Sequence, residues 1–294
     1  MTGSSGLIGK ALRPQLEKLG HTVAGCDLRT KAEEERFDLR DSRRVRDAVW
    51  QSDGVVHLGA VSRVIWGEQN PVLCESVNIG GMKNLAMAVL ESRRKPWLLL
   101  ASSREVYGNS PCKNSNGTFQ INPVNIYAKT KATSELIVAD LRTLGVATAV
   151  LRLSNVFGTT DDHADRVVPA FARAAAINGI LKVEGCDNFF DFNHVNDTVD
   201  AIVKTIEILN TGVADLPPLD IVTGRATSLL YLAEMALVTG EGKITVAPSR
   251  GVGAEQFQGD PRIAKRILGW RTHESLEESV ARLVKDFQGL LSHD

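Results

Sequence analysis

MTGSSGLIGK, residues 1–10, sets Gly3, Gly6 and Gly9 three apart and runs straight into a helical pattern. In that pattern, LIGKALRPQLEKLG, Leu7, Ala11, Leu16 and Leu19 repeat at helical spacing. Glycines in such a turn let the backbone bend tightly and approach a pyrophosphate with no Cβ in the way. The helix behind them offers unpaired N–H groups and the positive end of its dipole. Alone, a Gly-rich turn is a weak signal, because a purely structural turn looks the same. Residues further along the chain decide between the two.

The segment before the turn is unusual. Such a turn normally comes after a buried apolar strand at the centre of a sheet, yet only Met1 and Thr2 stand before Gly3. Removing most of that strand leaves buried backbone groups unpaired at about 1–3 kcal/mol each, against a total stability of about 5–15 kcal/mol. The expectation is a truncated first strand, with Met1 an internal methionine or a misplaced start. The alternative is a ladder that survives on a short or irregular strand.

Beyond the turn, strands and helices alternate: HTVAGCD, ending in Asp27; DGVVHLGA; a helix over 72–91; WLLLASS; a helix over 127–144; and VATAVLRL. Helices of this length between strands imply right-handed crossovers and a parallel sheet covered on both faces. The fold class predicted is α/β, a doubly wound Rossmann sheet over residues 1–155. Residues 156–294 read as a smaller, mainly carboxy-terminal substrate lobe that includes LKVEG, PLDIV and KITVA, with some segments returning to the first domain. No internal repeat or long linker separates the two, so a cleft between them is expected.

Composition narrows the function. A net charge of −1 gives no general pull toward nucleic acid or membrane, and the basic runs LRDSRRVRD and SRRKP read as solvated helix surface. Cys26, Cys74, Cys112 and Cys186 are scattered, with no CxxC pair and no clustered His, so neither a disulfide framework nor a metal site is indicated. No apolar run reaches membrane-spanning length and the amino terminus lacks a signal-peptide layout, which predicts a soluble cytoplasmic protein.

Asp27 closes the second predicted strand, where a carboxylate accepts hydrogen bonds from both adenosine ribose hydroxyls and repels a 2′-phosphate. NAD is therefore favoured over NADP, with Arg29 nearby as a counterweight. In FDLRD, Asp38 and the Leu39 backbone are candidates for the adenine edge; the other reading of Asp38 is a helix cap. YAKTK puts Tyr127 and Lys131 on one helical face, a spacing that surface pairs also have. An ammonium and a cationic nicotinamide there both favour a phenolate, and Lys131 could also hold the nicotinamide ribose. ASSREVYG ends the fourth strand, where parallel sheets place ligands. Ser103 is a candidate contact for a substrate hydroxyl and Glu105 a candidate acid or base; serines at strand ends also simply satisfy backbone groups.

In this order, TGSSGLIG, HLGA, NIGGMKNL, SSREVYG, YAKTK, LRLSNVFG, HVND and LGW resemble the motifs of the extended short-chain dehydrogenase/reductase family, in its NAD-dependent nucleotide-sugar epimerase/dehydratase branch. The resemblance runs over nearly the whole chain. It implies a catalytic Ser103, Tyr127 and Lys131, and a cofactor site at Gly3, Ser5, Gly6, Leu7, Ile8, Gly9, Asp27, Asp38, Leu39, Leu58, Gly59 and Ala60. Asn78 is implied to order the sheet and the active-site helix beside the cofactor, and Asn155 and Arg250 to reach the substrate's diphosphate. The implied chemistry is removal of a sugar hydroxyl proton by Tyr127 and hydride transfer to NAD, leaving a keto-sugar. A homodimer through the two long helices is the family's habit.

Three residues depart from the pattern. Arg104 stands where dehydratases commonly carry an acid, and it cannot give up a proton near neutrality. Phe190 stands where sugar-nucleotide enzymes often have a phosphate-binding arginine, with Arg166 or Arg250 as substitutes, and Gly59 replaces a common alanine. The leading expectation is an NAD-dependent nucleotide-sugar 4-epimerase. The alternatives are a dehydratase or decarboxylase using Glu105, a small-carbonyl reductase, and a non-catalytic NAD-binding sensor module.

Overall fold

The structure is a computed structural model and describes residues 1–109, 119–249 and 256–292. Its first helix, α1 (Leu7–Lys18), buries Gly9, Leu12 and Leu16. After it come α2 (Ser42–Trp50), β1 (Gly54–His57), α3 (Val64–Gln69) and α4 (Pro71–Glu75). A π turn over Ser76–Gly80 leads into α5 (Gly81–Glu91), then β2 (Trp97–Ser103), a 3-10 turn over Arg104–Tyr107, α6 (Ile126–Thr143) and β3 (Thr148–Leu153). The remainder is β4 (Asn155–Phe157), α7 (Val167–Ala176), β5 (Gly179–Glu184), β6 (Phe189–Phe190), β7 (Phe192–His194), α8 (Val195–Asn210) and β8 (Leu219–Ile221). The chain closes with β9 (Thr227–Ser228), α9 (Leu229–Thr239), β10 (Gly242–Ala247), α10 (Arg262–Leu268) and α11 (Leu276–Leu291).

Strands β1, β2, β3 and β8 pair in that order, all parallel. Helices α1 and α8 cover one face, through Leu12, Leu16, Val199 and Ile202. Residues of α2, α5 and α6, among them Val45, Leu85 and Val138, cover the other. Both faces of the sheet are therefore dry, which explains the near-continuous apolar runs of β2 and β3. A second apolar cluster joins α7, α9 and α11 to β5 and β7. PLDIV, expected in the lobe, instead supplies β8 in the main sheet, where Leu151 pairs with Leu219.

The first strand is reduced to bridges at Thr2. Thr2 bridges Cys26 on one side and His57 on the other. Its N–H donates to Val56 at 2.9 Å, its carbonyl accepts from Leu58 at 3.2 Å, Gly3 donates to Cys26 at 2.8 Å, and Met1 accepts from Cys26 at 2.9 Å. The first strand is truncated, as expected, and the backbone groups that remain at Thr2 are paired on both sides. Its neighbour is short as well: HTVAGCD forms a single bridge, at Cys26, and the Met1 amino group donates to the Ala24 carbonyl at 2.6 Å.

The helix expected over 72–91 is interrupted by the π turn. Among the described residues no helix is long and apolar enough to cross a membrane, and no cluster of His, Cys, Asp and Glu has the makings of a metal site.

Candidate active site

A cleft of about 970 Å³ opens at the carboxyl ends of the parallel strands, lined by residues of both apolar clusters' elements. On its cofactor side lie Gly3, Gly6, Leu7, Ile8, Asp27, Asp38, Leu39, Leu58, Gly59 and Ala60. Gly3 has φ +68°, and a Cβ on it would lie 2.7 Å from the Gly59 nitrogen. A Cβ on Gly9 would lie 2.4 Å from the Gly3 carbonyl oxygen, so α1 packs directly against the turn. These approaches compact the turn against the β1 loop and α1, and Gly6, which lines the cleft, leaves bare backbone toward it, as a dinucleotide's phosphates require. Ser5 does not line the cleft; its N–H donates to Asp27 Oδ2 at 3.0 Å and fixes the carboxylate. Asp27 Oδ1 accepts from the Arg29 N–H at 2.8 Å. These residues fit a dinucleotide with an unphosphorylated ribose.

Asp38 does not cap α2. That place belongs to Asp41, which accepts from Arg43 and Arg44, both at 3.1 Å. Asp38 lines the cleft with its carboxylate gripped by Arg40 at 2.6 Å, which holds it below the usual carboxylate range. The Leu39 carbonyl, in turn, is held by Asn84 at 2.8 Å.

The catalytic candidates meet where β2 ends and α6 begins. Asn125 caps α6, accepting from Ala128 at 2.8 Å, and donates through its amide to Glu105 Oε2 at 2.9 Å. Lys131 donates to the Ala101 carbonyl at 2.7 Å. Burial lowers the Lys131 ammonium to about 8 and pushes the Tyr127 phenol up to about 12. Hydrogen bonding from Ser103 pulls the phenol back down, and the charge of Glu105 pushes it further up. Desolvation is thus the largest influence on the phenol in the protein without its cofactor. Ser103 also accepts from the Glu105 N–H at 3.2 Å, and Glu105 Oε1 pairs with Arg104 at 2.8 Å.

Asn78 sits behind the cleft wall and is almost wholly buried. It accepts from Val61 at 2.8 Å and donates to Val61 at 3.2 Å and to Thr130 at 2.9 Å, tying the loop after β1 to α6. Asn155 lines the cleft and donates to the Asp191 carbonyl at 3.3 Å. Arg166 also lines it, with its guanidinium on the Val156 carbonyl at 3.0 Å. Arg250 lies outside the described residues.

Sequence reasoning missed the polar chain behind the site. Ser102 donates to Glu135 at 2.5 Å, and Glu135 pairs with Arg152 at 2.6 Å. Arg152 donates to the Tyr107 hydroxyl at 2.8 Å, and Tyr107 to Asp220 at 2.5 Å. Burial raises Asp220 to about 6. Asn125 was also missed, although its cap position two residues before Tyr127 is a readable signal.

The chain is similar to several known proteins. The chain is 27% identical to UDP-glucuronic acid decarboxylase 1 of Danio rerio over 312 residues, covering 100% of this chain and 73% of the relative. It is equally 27% identical to UDP-glucose 4-epimerase of Lactobacillus helveticus, covering 95% and 93%. The solved structure of UDP-glucuronic acid 4-epimerase from Bacillus cereus, in complex with UDP-glucuronic acid and NAD, superposes with a TM-score of 0.86 over 98% of each chain at 20% identity, a likeness of fold. Residues 1–215 match the profile of the NAD dependent epimerase/dehydratase family. With a Gly-rich turn, a strand-end carboxylate and a Ser–Tyr–Lys set around one cleft, the chain belongs to the NAD-dependent epimerase/dehydratase family.

Proposed function

We propose that the protein is a nucleotide-sugar 4-epimerase. The observation that carries the reading is the meeting of Ser103, Tyr127 and Lys131 on the wall of the same cleft as the glycine turn. In this reading the Tyr127 phenolate takes the proton from the sugar's C4 hydroxyl while Ser103 Oγ holds that hydroxyl in line. Lys131, anchored on the Ala101 carbonyl, keeps its ammonium 5.9 Å from the centre of the Tyr127 ring. NAD, when bound, supplies the hydride acceptor and a further positive charge that favours the phenolate. The keto-sugar turns over in the cleft between Asn155 and the lobe of residues 156–294, and Tyr127 returns the proton to the C4 oxygen as the hydride comes back to the opposite face of C4.

A decarboxylase is the second reading, favoured by Glu105 on the cleft wall and by the named activity of the Danio rerio relative. Arg104 at 2.8 Å and Asn125 at 2.9 Å hold the two Glu105 oxygens in place on the cleft wall, where a carboxylate can act on the sugar. The experiment is mass spectrometry of products from UDP-glucose, UDP-galactose and UDP-glucuronate. Unchanged mass with altered retention supports the epimerase, loss of carbon dioxide supports the decarboxylase, and no conversion of any of them sinks both.

The same reading includes a cytoplasmic site of action and a homodimer. Val72, Met87 and Leu90 on the α4–α5 side and Leu136 and Leu144 at α6 are exposed large apolar side chains suited to a helical interface.

A further inference from the structure

We infer that Arg104 is the cation that receives an anionic oxygen of the substrate, phosphoryl or carboxylate; the inference rests on the nucleotide-sugar reading above. Arg104 comes directly after Ser103 and lines the cleft, yet its side chain is only 8% exposed. One terminal nitrogen, Nη2, is used by Glu105 at 2.8 Å. The other, Nη1, is buried and has no hydrogen-bond partner among the described residues. A guanidinium has no lone pair to turn inward and cannot shed its charge, so a buried Nη1 calls for an acceptor. Glu105 does not readily serve it, because its second oxygen is engaged by Asn125 at 2.9 Å.

Among the described residues, the rings flanking the guanidinium supply no acceptor either. It lies 4.7 Å from the centre of the Phe190 ring and 5.5 Å from that of Phe257. Aromatic faces hold a guanidinium plane in place and leave its edge available for planar oxygen pairs. Phe190 is the residue that stands where a phosphate-binding arginine is often found. The charge absent at 190 is thus present on a neighbouring wall, stacked on the ring that replaced it. An anionic oxygen satisfies Nη1 with a charge-assisted bond, which a neutral hydroxyl does not match.

The test is calorimetric titration of the NAD-loaded protein with UDP, UDP-glucose and UDP-glucuronate, for the wild type, Arg104→Met and Arg104→Lys. A tenfold or greater loss of affinity in Arg104→Met, partly recovered in Arg104→Lys, is expected. Equal loss for all three ligands identifies a phosphoryl oxygen; loss confined to UDP-glucuronate identifies the carboxylate. Wild-type affinity for all three in Arg104→Met overturns the inference alone, as does an Arg104→Lys variant that matches wild type should Arg104→Met not fold. A wild type that binds none of the three overturns the nucleotide-sugar reading and the inference with it.

Discussion

Tyr127 and Lys131 stand one turn apart on the buried side of α6, with the Lys131 ammonium 5.9 Å from the centre of the Tyr127 ring and bonded to the Ala101 carbonyl. That bond fixes the helix to the strand whose end carries Ser103, so acid-base residues from two elements share one frame. Tyr127→Phe removes the proton acceptor and leaves the frame. Turnover is expected to fall by about 10²–10⁴-fold, with NAD affinity kept within a few fold by calorimetry. Unimpaired turnover would place the proton transfer elsewhere.

Lys131 makes a pH-dependent contribution whose sign derives from its burial. Folding lowers its pKa from the ordinary 10.5 to about 8. Below about pH 8 both folded and unfolded chains carry the proton, and the cost of the buried charge is present in full. Between about 8 and 10.5 the unfolded chain keeps a proton that the folded one gives up, so this group's cost fades as pH rises. Lys131→Met is therefore expected to melt no lower than wild type at pH 7, with any advantage shrinking toward pH 10.5, while losing most of its activity. Melting scans across that window, with a variant markedly less stable at pH 7, would contradict this.

Asp27 is held by two backbone N–H groups with its carboxylate in the cleft. Hydrogen bonds to a charged group are worth about 1.5–3 kcal/mol. Asp27→Asn should weaken NAD binding by about tenfold or more and narrow the gap between NAD and NADP. Equal losses for the two cofactors would show that the carboxylate does not face the ribose.

Asn125 does two tasks with one amide, capping α6 and holding Glu105. Asn125→Ala should cost about 1 kcal/mol or more in denaturant unfolding. Asn125→Asp keeps the cap but puts a carboxylate beside Glu105, and should lower kcat more than it lowers stability. Should both variants match wild type in stability and rate, the junction has no such role.

Leu136 is 67% exposed on α6. Leu136→Asp is expected to halve the mass measured by light scattering if the α5 and α6 faces pair two copies. A wild type that elutes as a monomer at all concentrations would remove this interface.

Much of the fold is legible because burial on both faces writes itself as uninterrupted apolar runs: WLLLASS is β2 residue for residue. The Tyr127–Lys131 pair is legible because helical spacing alone puts the two on one face. The Arg104 stack on Phe190 and Phe257 is not, since no periodicity links residues so far apart in the chain. The chain from Glu135 through Arg152 and Tyr107 to Asp220 is hidden for the same reason. The pairing around Thr2 is legible only as one of two alternatives for another reason: propensity and pattern need length, whereas the backbone there is held by four ladder bonds from neighbours on both sides.

The π turn at Ser76–Gly80 acts as a phase shift. An extra residue in a helix rotates everything after it by about 100° relative to the turns before it. Asn78 therefore faces Val61 and Thr130 while Met82 and Leu85, beyond the shift, face the apolar layer on the sheet. Deleting one residue here would restore a regular helix and force a choice between the two: the polar clamp at the site or the packing of α5. Helix regularity and site geometry are, at this position, mutually exclusive.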